Sequence, residues 1–121
     1  MQTLKKIEKP WGHELLWAHT ADYAGKILYI RKGQKLSLQY HERKEETILL
    51  HSGRLLLILE DDAGVLREHD VSVGEAYHIR VGRRHRMVAL DQDCEVLEVS
   101  TNHLDDVVRV DDSYGRATVS A

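Results

Sequence analysis

Two short stretches of this chain share one frame, Gly33-x5-Gln39-x-His41-x4-Glu46-x6-Gly53 and Gly74-x5-Arg80-x-Gly82-x2-His85. The glycines mark tight turns, and the residues between them change character at every step, which is the period of a β-strand. Leu36, Leu38 and Tyr40 fall on one side, and Ser37, Gln39 and His41 on the other. One side is apolar and the other can hold a metal. Glu46 then opens a second β-type run, Thr47-Ile48-Leu49-Leu50, so a carboxylate stands at the mouth of a buried strand. An unpaired carboxylate there loses several kcal/mol of solvation, and a divalent cation would supply the missing partner.

The rest of the chain reads as strands with very little helix. Short runs rich in Leu, Ile and Val occupy 13–18, 25–31, 36–41, 46–51, 54–59, 65–68, 76–79, 85–90 and 95–101, punctuated by glycines or by turns such as Glu60-Asp61-Asp62-Ala63-Gly64. That rhythm predicts an antiparallel sandwich or barrel. A helical turn is expected over 104–110, where Asp105 and Asp106 suit a first turn. At 121 residues the chain is long enough for one core and too short for two, so 1–121 is expected to be a single domain.

Charge and cysteine content narrow the function. A net charge of −3 argues against a general nucleic-acid binder, although Arg31-Lys32 and Arg83-Arg84-His85-Arg86 could each meet a small anion. The one cysteine, Cys94, excludes an internal disulfide and a multi-thiolate zinc site, and reads as a packed core thiol. No run is apolar and long enough to span a bilayer, and residues 1–8 have no apolar signal core. No membrane partner and a cytoplasmic location are expected.

The two framed stretches resemble the cupin superfamily, whose motifs read G-x5-H-x-H-x3-or-4-E-x6-G and G-x5-P-x-G-x2-H-x3-N. Every spacing is kept, with Gln39 for the first histidine, Arg80 for the proline and Ala89 for the final asparagine. The Gln39-x-His41 pair resembles the mannose-6-phosphate isomerases. So do Lys9-Pro10-Trp11-Gly12, Leu36-Ser37-Leu38-Gln39 and the tail from Asp106 to Arg116, which look like the cupin domain of the bifunctional, type II enzymes. The resemblance implies an all-β, double-stranded β-helix (jelly-roll) barrel with an N-terminal flap over about 1–24 and a tail over about 104–121. It also implies one divalent metal held by Gln39, His41, Glu46 and His85. Where the type II pattern is histidine-rich after the first histidine, this chain has Glu42-Arg43-Lys44-Glu45, and a cationic Arg43 cannot bind metal. The nucleotidyltransferase half of those proteins is absent from the sequence.

Two imidazoles, a carboxylate and an amide oxygen suit Zn²⁺, Mn²⁺, Fe²⁺, Co²⁺ or Ni²⁺. If the activity is aldose–ketose isomerisation of a sugar phosphate, a metal would polarise the carbonyl and a base must reach the adjacent carbon. Lys26, a lysine in an otherwise apolar strand where the related enzymes also carry one, and Arg109 are the expected catalytic residues. His78, Arg80 and Arg116 are expected at the substrate, with Arg109 and Arg116 suited to phosphate by their guanidinium forks. Both arginines could instead pair with Asp106, Asp111 and Asp112. Two other classes stay open: another cupin enzyme, such as a dioxygenase or sugar-modifying enzyme, and a non-catalytic sugar- or metabolite-binding cupin. The apolar Leu15-Leu16-Trp17 segment makes a homodimer the expected assembly.

Overall fold

The structure is a computed structural model that describes residues 4–117. Among these residues there is no helix, and eleven strands form two antiparallel sheets. In chain order they are β1 (Lys5–Lys9), β2 (Gly12–His19), β3 (Tyr23–Ile30), β4 (Leu38–Tyr40), β5 (Glu46–Ser52), β6 (Leu55–Glu60), β7 (Leu66–Val71), β8 (Ala76–Ile79), β9 (His85–Ala89), β10 (Cys94–Thr101) and β11 (Val108–Asp111). One sheet runs β1-β2-β3-β10-β5-β8 and the other β11-β4-β9-β6-β7. The chain changes sheet at every step from β3 to β6 and again from β7 to β11, as the expected jelly roll requires.

Period-two alternation divides the barrel interior into two levels. On β3 the inward residues are Lys26, Leu28 and Ile30; on β10 they are Cys94, Val96, Glu98 and Ser100; on β5 they are Glu46, Ile48 and Leu50. Register sets Val96 between Leu28 and Leu50, Glu98 beside Lys26, and Ser100 beside Glu46. The apolar level meets Leu55, Leu57, Met87 and Ala89 from the facing sheet, with Trp11, Leu36 and Ile79 completing the core. Each large aliphatic side chain buried this way contributes about 1.5–3 kcal/mol. The charged level lies at one end, and there the site forms.

Gly53 fastens the opposite end. Its φ is +94° and an added Cβ would stand 2.2 Å from the Asp93 carbonyl oxygen, a backbone atom that cannot turn aside. Strain and overlap act together, so Gly53→Ala is expected to lower unfolding stability by about 3 kcal/mol or more, read from urea midpoints.

Three expectations change. Residues 104–110 are not a helical turn: Val108–Asp111 pairs antiparallel with β4, placing Val108 opposite Tyr40 and Arg109 opposite Gln39. The strand alternation there outweighs the local preference of Asp105 and Asp106 for a helix start. The segment expected as an N-terminal flap is instead β1 and β2, hydrogen-bonded members of the larger sheet, with Trp11 2% exposed in the core. Trp17 and Tyr23 face outward. Residues 1–3 and 118–121 of the expected flap and tail lie outside the described residues. Strand pairing over the fourth element is shorter than expected, because Lys35 and Leu36 turn onto β9, where Leu36 N–H donates to Met87 O, and Leu36 joins the core.

Candidate metal centre and its cavity

Three side chains from three chain segments meet at the charged end. His41 follows β4, Glu46 opens β5 and His85 opens β9, and all are 3% exposed or less. Glu46 Oε1 lies 3.6 Å from His41 Nε2 and 3.1 Å from His85 Nε2. The ligand atoms of all three fall within 4.8 Å of one another.

The outer ring nitrogens explain why the inner ones converge. His41 Nδ1 donates to the Asp106 carbonyl at 2.6 Å and His85 Nδ1 to the Arg83 carbonyl at 2.9 Å. A neutral imidazole whose Nδ1 carries the proton offers Nε2 as a bare lone pair, the form that binds metals. Both Nε2 atoms and Glu46 Oε1 are buried without a hydrogen bond, while Glu46 Oε2 is turned to the Lys44 ammonium at 3.1 Å. Buried acceptors facing one another in this way are costly unless a cation sits between them. The donor set therefore fits a divalent ion. Gly82 contributes to the same geometry: its φ of +81° closes the turn before β9, and its N–H donates to the His41 carbonyl at 2.8 Å.

Gln39 lies on β4 directly opposite His85, and its Oε1 accepts from Ser37 Oγ at 2.6 Å. It faces the same cavity as His41, at the edge of the triad.

A carboxylate and a lysine that sequence reasoning passed over complete the centre. Lys44 Nζ lies 3.1 Å from Glu46 Oε2 and 3.1 Å from Glu98 Oε2, with all three side chains 7% exposed or less. Burial alone would depress Lys44, but Glu98 and Glu46 more than reverse that and hold it charged, above its ordinary range. Burial pushes Glu98 up to about 7, with repulsion from Glu46 adding to it and Lys44 and Lys26 opposing. Burial acts upward on Glu46, and the Lys44 ammonium pulls it the other way, below the usual carboxylate range. Asp106 ties the segment together from outside, its carboxylate accepting the backbone N–H groups of Glu42, Arg43 and Lys44 at 3.0, 2.7 and 2.8 Å. The relevant sequence signal was Lys44 two residues before Glu46, on the same face of an extended segment.

A cavity of about 80 Å³ opens beside the centre, lined by Gln39, His41, Lys44 and Glu98 together with Lys26, Arg109 and Arg116. Lys26 forms a buried ion pair with Glu14 at 3.1 Å. Arg116 is held by Asp112 through Nε and Nη2, each at 3.1 Å, and lies over the Tyr114 ring. Asp111 pairs instead with Arg86 at 2.9 Å. Lys9 reaches the same cavity from β1, half-buried and depressed first by burial, with Lys26, Arg109 and Arg116 adding to the effect against Glu14.

Two expected substrate contacts lie elsewhere. His78 and Arg80 are exposed, and His78 Nε2 meets Glu45 at 3.3 Å. They flank a separate surface depression with Glu60 and Arg83. The reason is parity: Ile79 between them turns into the core, so both neighbours turn out. Tyr114 packs on the core and donates to Gln34 Oε1 at 2.6 Å.

A small antiparallel barrel with histidines and a glutamate gathered at one end defines a cupin, and the cupin domain model matches residues 26–100; the chain belongs to this family. Two of its curated relatives are named for xanthan and alginate biosynthesis. The chain is 28% identical over 116 residues to the xanthan biosynthesis protein XanB of Xanthomonas campestris, covering 93% of this chain and 24% of that protein. It is 26% identical to a mannose-1-phosphate guanylyltransferase of Salmonella montevideo, covering 94% and 24%. The chain thus spans about a quarter of the length of the curated relatives it matches. Oxalate decarboxylase from Bacillus subtilis shares the fold, with a TM-score of 0.78 at 16% identity over 88% of this chain and 30% of that one. Among the described residues no helix is long and apolar enough to cross a membrane.

Proposed function

We propose that this chain is a metal-dependent sugar-phosphate isomerase of the mannose-6-phosphate isomerase kind. The observation that carries the reading is the buried His41, Glu46 and His85 triad, of which His41 also lines a cavity edged by Lys9, Lys26, Arg109 and Arg116. Gln39, His41, Glu46 and His85 would hold one divalent ion of the Zn, Mn, Fe, Co or Ni group. When bound, that ion supplies a Lewis acid for the carbonyl end of an open-chain sugar. The cationic rim suits a phosphate group, with Arg116 preset by Asp112 for a two-pronged contact. Lys26 and Arg109 are the proposed catalytic residues: Lys26 is kept dry and oriented by Glu14, and Arg109 stands beside Gln39 across the β4–β11 pair. The relatives' names, mannose-1-phosphate guanylyltransferase among them, support a phosphorylated hexose over other carbonyl substrates. A cytoplasmic setting is proposed with it.

The test is metal content of the purified protein, paired with conversion of mannose 6-phosphate to fructose 6-phosphate before and after chelation and metal add-back. Near-stoichiometric metal with restorable turnover supports the isomerase. Metal without turnover points to a binding cupin or another reaction, and absence of metal after loading removes the reading.

A homodimer is proposed as the assembly. Its support is the outer face of the larger sheet, where Trp17 (50% exposed) and Val99 (54%) flank Gly25, beside Leu15, Ile27 and Leu97. Trp17→Glu is expected to turn a dimer into a monomer in light scattering, whereas a monomeric parent would end the proposal.

A further inference from the structure

Glu46 sends its two oxygens to different destinations. Oε1 faces the two imidazole Nε2 atoms, while Oε2 faces the Lys44 ammonium at 3.1 Å. Lys44 cannot readily move aside. Its ammonium is shared with Glu98 at 3.1 Å, its backbone N–H is held by Asp106, and its side chain is 7% exposed.

A carboxylate can bind a metal through one oxygen or through both. With Oε2 committed to a buried cation, only Oε1 is presented to the triad. We infer that Lys44, backed by Glu98, is a positioning residue that restricts Glu46 to one-oxygen ligation and so preserves an open coordination position on the bound ion. The inference rests on the metal-binding part of the reading above and not on the identity of the substrate. The sequence spacing agrees with it, because residues 44 and 46 lie on one side of an extended segment, so lysine and carboxylate are delivered together. Glu98 arrives from β10, fifty-four positions away in sequence, so the clamp exists only in the folded barrel. Its counter-charge also keeps the ammonium from leaving two buried carboxylates facing each other. An open position separates a site that can accept a substrate oxygen from a closed, purely structural one.

Co²⁺ titrated into metal-free protein tests this directly, since its visible d–d absorption weakens as coordination number rises. Lys44→Met alone would strand Glu46 and Glu98 together, so the informative variant is Lys44→Met/Glu98→Gln, with folding checked by circular dichroism. In this variant Glu46 is free to close both oxygens on the ion. The expected result is a markedly weaker Co²⁺ spectrum and, with Mn²⁺, reduced water-proton relaxation as an inner-sphere water is displaced. Lys44→Arg, which keeps a cation between the carboxylates, is expected to retain the parent spectrum. A folded double variant whose Co²⁺ spectrum superimposes on the parent's would overturn the inference. If the parent gives the expected open-site spectrum but no mannose 6-phosphate turnover, the isomerase reading fails and the clamp stands.

Discussion

Replacing His85 with alanine is expected to abolish stoichiometric metal binding and, under the proposed isomerase function, to reduce turnover by more than about 100-fold, beyond the loss usual for an outer-shell partner. The imidazole is 1% exposed, its Nε2 faces Glu46 at 3.1 Å, and its other nitrogen is locked on the Arg83 carbonyl, so no neighbouring group can take its place. Stability offers a readout independent of the substrate. A metal that binds only the folded state stabilises it by about 2.7 kcal/mol at 100 times its Kd. Zn²⁺ should therefore raise the melting temperature of the parent and leave that of His85→Ala where it was. An equal shift in both proteins would place the metal somewhere other than the triad.

Asp106→Ala is expected to cost about 3 kcal/mol of folding stability and to weaken metal binding 10–100-fold. Its carboxylate accepts three successive backbone N–H groups, from Glu42, Arg43 and Lys44, and these carry the chain from His41 to Glu46. Burial works to raise the carboxyl, but the three N–H donors outweigh it and hold it below the ordinary aspartate value. A group depressed in the folded state contributes stability above its unfolded pKa and loses that contribution as pH falls through the folded one. The difference in urea midpoint between parent and Asp106→Ala should thus be full at neutral pH and shrink on acidification below the usual carboxylate range. A difference that is flat down to strongly acidic pH would assign the effect to packing instead.

Much of the barrel was legible because its turns are marked by glycine and its strands by period-two alternation. The expected strands near 25–31, 46–51, 54–59 and 95–101 correspond closely to β3, β5, β6 and β10. The resemblance to the cupin motifs, carried by the glycine frame, named His41, Glu46 and His85 together, and the fold gathers their ligand atoms within 4.8 Å of one another. What the sequence concealed are relations across the fold. Val108–Asp111 is too short to announce itself as a strand until β4 offers it a partner. Glu98 resembles any polar residue of an alternating strand, and Lys44 any residue of a charged loop, until the barrel sets them 3.1 Å apart. His78 and Arg80 lie on the solvent side because one residue of parity decides between interior and solvent, and the sequence near the Gly82 turn does not fix that parity.

The two-level interior has an evolutionary consequence. Leu28, Val96, Leu50 and their partners hold the sheets together at one level, while Lys26, Glu98, Ser100 and Glu46 occupy the next residues along the same strands. Substitutions at the charged level leave the apolar contacts untouched, so a lineage can exchange one chemistry for another there while inheriting its foundation unchanged. A single barrel can in this way pass between enzymes of unrelated reactions, each ancestor lending its descendant a finished scaffold and an editable mouth.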